Sequence, residues 1–286
     1  MLKRINWKAI LYGFLWLVSL SGVVLLMSFI EVKKNKLKCS DVKILLPGRY
    51  NFVEREEIDR ILLESGGVLI GKDLNDINIH RLENRLKANP FIEYAKVYAD
   101  MNGIVNVQIR QREPVLRVIN MANLHFYIDN KGFKMPVSDN YTAKVLVVNG
   151  FIDEDFTGRV DTIHSKLVKD LYRAALFIKA DTLWDNQIEQ LFVDLNSDIE
   201  MVPRVGDQKI ILGDADSLQT KFRNLLLFYK KAIPKVGWDS YKTINLKYAN
   251  QIVCEKNLID STKLKLNNAS AIVDSIKTDT QDVTKN

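Results

Sequence analysis

Apolar and polar positions follow three patterns along the chain. The first is an unbroken apolar run from Ala9 to Ile30, 22 residues without a charge. As a helix such a run is about 33 Å long, enough to cross a hydrocarbon layer of about 30 Å. It predicts a transmembrane helix over 9–30 with lipid around it, preceded by a short tail over 1–8, and the basic residues on its two flanks are too evenly matched to set its orientation. Trp7, Tyr12 and Trp16 fall in its first half, as interfacial aromatics do. A cleaved signal has a shorter apolar stretch and a small-residue cleavage site, which Ser28-Phe29-Ile30-Glu31 does not supply.

From 39 to 112 the pattern changes to strand, helix, helix, strand, strand. Val42-Lys43-Ile44-Leu45 alternates and stops at Pro47-Gly48. Asn51 is the expected cap of a helix whose Glu54, Glu56 and Glu57 suit a positive N-terminus and whose Ile58, Ile61 and Leu62 share a face. Gly66-Gly67 ends it. Ile79, Leu82 and Leu86 mark a second helix, closed by Asn89-Pro90. Ala95, Val97 and Ala99, the turn Asn102-Gly103, and Val105, Val107 and Ile109 predict a hairpin.

Strands dominate from 113 to 255. Val115–Ile119, Leu124–Ile128, Val145–Val148, Ile188–Leu195, Ile199–Val202 and Lys209–Leu212 read as strands. One amphipathic helix carries Ile163, Leu167, Leu171, Ala174 and Ile178, and another carries Leu218, Phe222, Leu225 and Tyr229. Thr243–Tyr248 and Gln251–Cys254 form a closing strand pair. The fold class is α+β with a β-rich second domain. Residues 256–286 are polar and charge-balanced, and are expected to be a disordered tail.

Charge narrows the functions. Residues 1–38 hold seven Lys and Arg against Glu31, whereas residues 39–286 carry 34 charges of each sign. A body without excess cations does not grip a polyanion, so no nucleic acid is expected. Gly66-Gly67-Val68-Leu69-Ile70-Gly71-Lys72-Asp73 approaches a phosphate-binding loop, but Asp73 replaces the metal-facing hydroxyl and a helix precedes the loop where a strand belongs. A helix-ending turn is the simpler reading. His80, His125 and His164 are scattered, the run Asp153-Glu154-Asp155 reads as a solvated loop, and Cys39 and Cys254 read as unpaired small hydrophobes. No catalytic, cofactor-binding or metal-binding residue is therefore expected, and the chain is not expected to be an enzyme.

The order of features resembles the bacterial FtsQ/DivIB division family, and the first unit resembles a POTRA domain. The residues that carry the likeness are Leu82-Glu83-Asn84-Arg85-Leu86-Lys87-Ala88-Asn89-Pro90-Phe91-Ile92, then Ile109-Arg110-Gln111-Arg112-Glu113-Pro114, Phe126-Tyr127-Ile128-Asp129-Asn130-Lys131-Gly132 and Thr243-Ile244-Asn245-Leu246-Lys247-Tyr248. The final hairpin departs from the pattern, with Asn250-Gln251 in place of a glycine turn. The resemblance implies a non-catalytic divisome scaffold without cofactor, anchored in the inner membrane with its tail over 1–8 cytoplasmic and its body periplasmic, and enriched at the septum. It implies as partners FtsB, FtsL-like coiled-coil proteins and other divisome components.

A terminal strand offers unpaired backbone groups to a partner's strand. The expected docking segment is Leu246–Val253, with Leu246, Tyr248, Asn250, Gln251 and Ile252 in contact and Leu226 and Tyr229 extending it. The edge of Val42–Leu45 or of the hairpin is a second possible docking surface. The alternatives are a POTRA-type envelope assembly or secretion factor, and a periplasmic lipid or glycan carrier.

Overall fold

The structure, a computed structural model, describes residues 7–34, 37–248 and 251–257. The chain divides into two compact units, Met1–Arg112 and Glu113–Asn286.

The first unit opens with helix α1 (Trp7–Lys34). Among the described residues no helix is long and apolar enough to cross a membrane. The described side chains of α1 run only from 11 to 27, short of the Ala9–Ile30 stretch on which a span was expected. Strand β1 (Asp41–Leu45), helices α2 (Arg55–Gly66) and α3 (Ile79–Lys87), and strands β2 (Ile92–Ala99) and β3 (Ile104–Gln111) follow. The sheet order is β1-β3-β2, with β1 parallel and β2 antiparallel to β3. Ile58, Leu62, Leu82 and Leu86 are buried, as are Ala95, Val97, Val105, Val107 and Ile109. Alternate strand residues and helix residues three or four apart thus supply one core between two layers.

One cap differs from the sequence expectation. The residue before α2 is Glu54, with no side-chain cap, and not Asn51. Phe52 and Val53 are buried and the Val53 amide donates to Gln111 Oε1 at 3.0 Å, so the chain dives into the core before the helix can begin. Asn78 does cap α3, its Oδ1 accepting from the Arg81 amide at 2.9 Å.

The second unit is a ten-stranded mixed sheet. Its strands are β4 (Pro114–Ile119), β5 (His125–Asp129), β6 (Phe133–Pro136), β7 (Leu146–Gly150), β8 (Asp161–Thr162), β9 (Ile188–Val193), β10 (Ile199–Pro203), β11 (Lys209–Gly213), β12 (Tyr241–Asn245) and β13 (Val253–Lys256). They lie in the order β13-β12-β11-β10-β9-β7-β4-β5-β6-β8. Helices α4 (Lys166–Ala180) and α6 (Leu218–Lys231) lie in the parallel crossovers β7-to-β9 and β11-to-β12, as parallel neighbours require. Val168, Leu171, Ala174, Ala175 and Ile178 of α4 and Phe222 and Leu225 of α6 share a core with Leu116, Val118, Val148, Leu191, Met201, Ile210 and Ile244. Ile163 is buried but precedes α4. Short helices α5 (Thr182–Gln187) and α7 (Ile233–Val236) complete the unit.

The acidic run at 153–155 is a loop in which Asp153 and Asp155 are exposed, but Glu154 is not solvated. Glu154 and Lys134 are each 1% exposed at the side chain and pair at 2.9 Å. Lys134 Nζ also donates to the Asp155 carbonyl at 2.8 Å, while Glu154 accepts from the amides of His164 and Ser165 just before α4. Burial pushes the Glu154 carboxyl up, but the Lys134 ammonium, the Ser165 hydroxyl and the two amides outweigh it and hold the group at about 2.

Candidate partner-binding edge

The sheet margins differ in what occupies their outward-facing amides. In the first sheet the Val97 amide of β2 donates to Glu83 Oε1 of α3 at 2.9 Å, and Glu83 is buried. On β1 the Val42 amide is taken by Asp41 Oδ1 at 2.8 Å. In the second sheet β8 is only two residues long, and the Thr162 amide turns onto Asp161 Oδ1 at 2.7 Å. Each of these three margins is shortened or partly closed by the protein itself.

Strand β13 is different. Among the described residues it pairs antiparallel with β12 alone, Asn245 facing Val253 and Ile244 facing Cys254. Beyond that ladder, the amides of Val253–Lys256 meet no side chain among the described residues. In an antiparallel edge strand alternate N–H and C=O groups point outward, which is the geometry that accepts an added strand. Val253, Glu255 and Lys256 are exposed, and the two charges limit indiscriminate pairing.

The expected contact residues separate into three groups. Tyr248 is 51% exposed and Gln251 is exposed, both on the connection that leads from β12 into β13. Leu246 is buried in the core, its amide donating to the Ile211 carbonyl at 2.8 Å. Ile252 and Leu226 are half-buried against that core. Tyr229 is turned inward, its ring centroid 6.2 Å from Trp184 and 5.1 Å from Trp238, and burial pushes its phenol up to about 12. Its hydroxyl is buried within an aromatic cluster, while the residue as a whole is half-buried, as Leu226 is. Asn250 lies outside the described residues.

Val253, the last residue of the expected docking segment, is exposed on β13. One feature of this edge had no periodic signal in the sequence. Lys247 crosses the end of β11 to Asp198 in the β9–β10 turn, Nζ to Oδ2 2.6 Å, and so fixes where the chain leaves β12. Burial raises the Cys254 thiol, and both cysteines are free. Among the described residues no group of three or more His, Cys, Asp or Glu side chains has the arrangement of a metal site.

Residues 113–255, half of the chain, match the family described as FtsQ/DivIB, C-terminal related. The chain belongs to the FtsQ/DivIB family. Residues 37–110 match a POTRA-like domain, which covers the part of the first unit that follows α1 in this FtsQ/DivIB protein. No curated protein matches the chain. Family membership makes it a division-related POTRA scaffold from a non-catalytic, membrane-associated family whose members work through protein–protein contacts.

Proposed function

We propose that this FtsQ/DivIB protein is a single-pass, membrane-anchored scaffold of the divisome, linking early and late division proteins in support of septal peptidoglycan synthesis. Strand β13 takes up a strand of an FtsB-like partner, with FtsL-like protein joining the same assembly. The observation that carries the reading is the contrast among the margins. Glu83, Asp41 and Asp161 blunt three of them, while the β13 margin presents backbone groups with Tyr248, Gln251 and Val253 beside it.

The anchor is α1. Its apolar side chains from Leu11 to Met27 are exposed around the whole helix, as expected where lipid and not protein is the neighbour. At 28 residues the helix is about 42 Å long. The body then lies in the periplasm, where tethering raises the local concentration of its partners at the septum.

Replacing Tyr248 by glutamate tests the site. The expected result is loss of co-purification with the FtsB-like partner while the circular dichroism spectrum and thermal midpoint stay as in the parent. Unaltered co-purification would discard the site.

A further inference from the structure

We propose that the POTRA-like unit touches the bilayer surface through two loops, with Val68, Ile70 and Met101 entering the interfacial layer. The proposal rests on the reading of α1 as the anchor.

Outside α1, Met101 at 92%, Val68 at 72% and Ile70 at 58% are the three most exposed large apolar side chains described in the first unit. Two different loops carry them, and the same short segment gathers both loops. In the loop after α2, the Gly71 amide donates to the Cys39 carbonyl at 2.7 Å and the Lys72 carbonyl accepts from the Cys39 amide at 2.8 Å. The Leu74 amide reaches the Leu37 carbonyl at 3.0 Å, and Lys38 bridges Asp73. In the β2–β3 turn, the Gly103 carbonyl accepts from the Ser40 amide at 2.9 Å and the Asn102 carbonyl from Ser40 Oγ at 3.2 Å. Gly103 has φ +81°, and a Cβ there would collide with the Lys38 carbonyl oxygen. The hairpin tip therefore needs glycine to lie against residue 38.

Chain length places this segment at the membrane. Lys38 stands four positions after Lys34, the last residue of α1, so at most about 14 Å of chain separates them. Residues 31–34 add about 6 Å of helix beyond the apolar run. Both loops are thus held within reach of the headgroup layer by backbone hydrogen bonds and by the tether.

The chemistry of the loops suits that position. Turns favour Gly, Asn, Asp and Ser, and neither loop needs a large apolar residue for its geometry. Val68 and Ile70 flank Leu69, which is buried, so alternation sends one side chain into the core and two outward. Exposed apolar groups at a loop tip are unfavourable in water and favourable at an interface. Lys38 and Lys72 lie beside them, and Lys33, Lys34 and Lys36 add positive charge along the tether. Asp41, Asp73, Asp76 and Asp100 lie in or beside the same loops and offset Lys38 and Lys72, so the basic excess is that of the tether, Lys33, Lys34, Lys36 and Lys38. The occupant is the lipid surface at which the tether ends, and the basic tether favours an anionic one.

The test uses the full chain, reconstituted into phosphatidylcholine–phosphatidylglycerol bilayers, in a Cys254→Ser background, since Cys39 is buried and inert to labels. Nitroxides are placed singly at Val68→Cys, Met101→Cys, Arg49→Cys beyond the far end of β1, and Leu17→Cys in α1. Accessibility to oxygen, which partitions into lipid, is compared with that to a water-soluble nickel chelate. Oxygen should exceed the chelate at 17, 68 and 101, and the order should invert at 49. If 68 and 101 behave like 49 while 17 stays in lipid, the loops face water or another protein and the proposal falls alone. If 17 is also aqueous, the anchor reading falls and takes the proposal with it.

Discussion

Lys247 lies with its methylene stem over Gly213 and its ammonium 2.6 Å from Asp198 Oδ2, joining the β12–β13 connection to the β9–β10 turn. A Cβ at Gly213 would stand 2.7 Å from Lys247 Cγ, and the backbone there has φ +79°. The close approach and the left-handed backbone both select glycine. Asp198 is itself positioned, its amide donating to Asp194 Oδ1 at 2.8 Å.

Two substitutions separate geometry from charge at this contact. Gly213→Ala should cost about 1–3 kcal/mol, because an alanine must hold a left-handed conformation while displacing the lysine. Asp198→Asn removes a partly exposed ion pair and should cost under about 1 kcal/mol. Urea midpoints check both. Equal losses would show that the ammonium, and not the stem lying over glycine, holds the connection.

Lys134→Met should be among the most damaging changes in the second unit. It leaves the Glu154 carboxylate buried without its cation, a loss of about 3–5 kcal/mol. A double variant, Lys134→Met with Glu154→Gln, should recover part of that loss in thermal unfolding. Failure to recover any would mean that packing around the lysine stem, and not charge, dominates the site.

The same pair sets an acid limb. The folded carboxyl of Glu154 sits at about 2, below its ordinary 4.5. The native state therefore resists protonation that the unfolded chain accepts. The contribution is complete above about pH 5 and fades as pH falls toward 2. Stability measured by chemical denaturation should decline over that window in the parent. The decline should be shallower in Glu154→Gln.

Glu83→Ala should expose the β2 margin. It leaves the Val97 amide without its acceptor, at a cost of about 1–3 kcal/mol, and that amide should exchange faster with solvent. The backbone hydrogen bond from Val97, with the Lys96 ammonium beside it, holds the Glu83 carboxyl below the usual range. Glu83→Gln keeps an acceptor and should fall between the two. Unchanged exchange at Val97 would show that the margin is closed by other means.

Much of this architecture was legible in the chain because apolar positions repeat with the period of the element they build. Val105, Val107 and Ile109 mark β3 by alternation, and Leu171, Ala174 and Ile178 mark α4 by helical spacing. Helix α5 escaped because Thr182–Gln187 is too short to show a period. Lys134 and Glu154 escaped because they are 20 positions apart and the acidic run looks like any solvated loop. At the candidate edge, Tyr248 was legible as an apolar group near a chain reversal. Helical spacing placed Tyr229 on one stripe with Phe222 and Leu225 but could not show that its hydroxyl is buried beside Trp184 and Trp238. Lys247 gives no pattern at all, since its role arises only when β11 brings Gly213 beneath it.

The central claim is that β13 supplies backbone hydrogen bonds to a partner. Amide hydrogen exchange of the full chain, with and without the FtsB-like partner, measures this directly. The account predicts slowed exchange at alternate positions of Val253–Lys256 in the complex. A stable complex in which those amides exchange as they do in the free protein would contradict it.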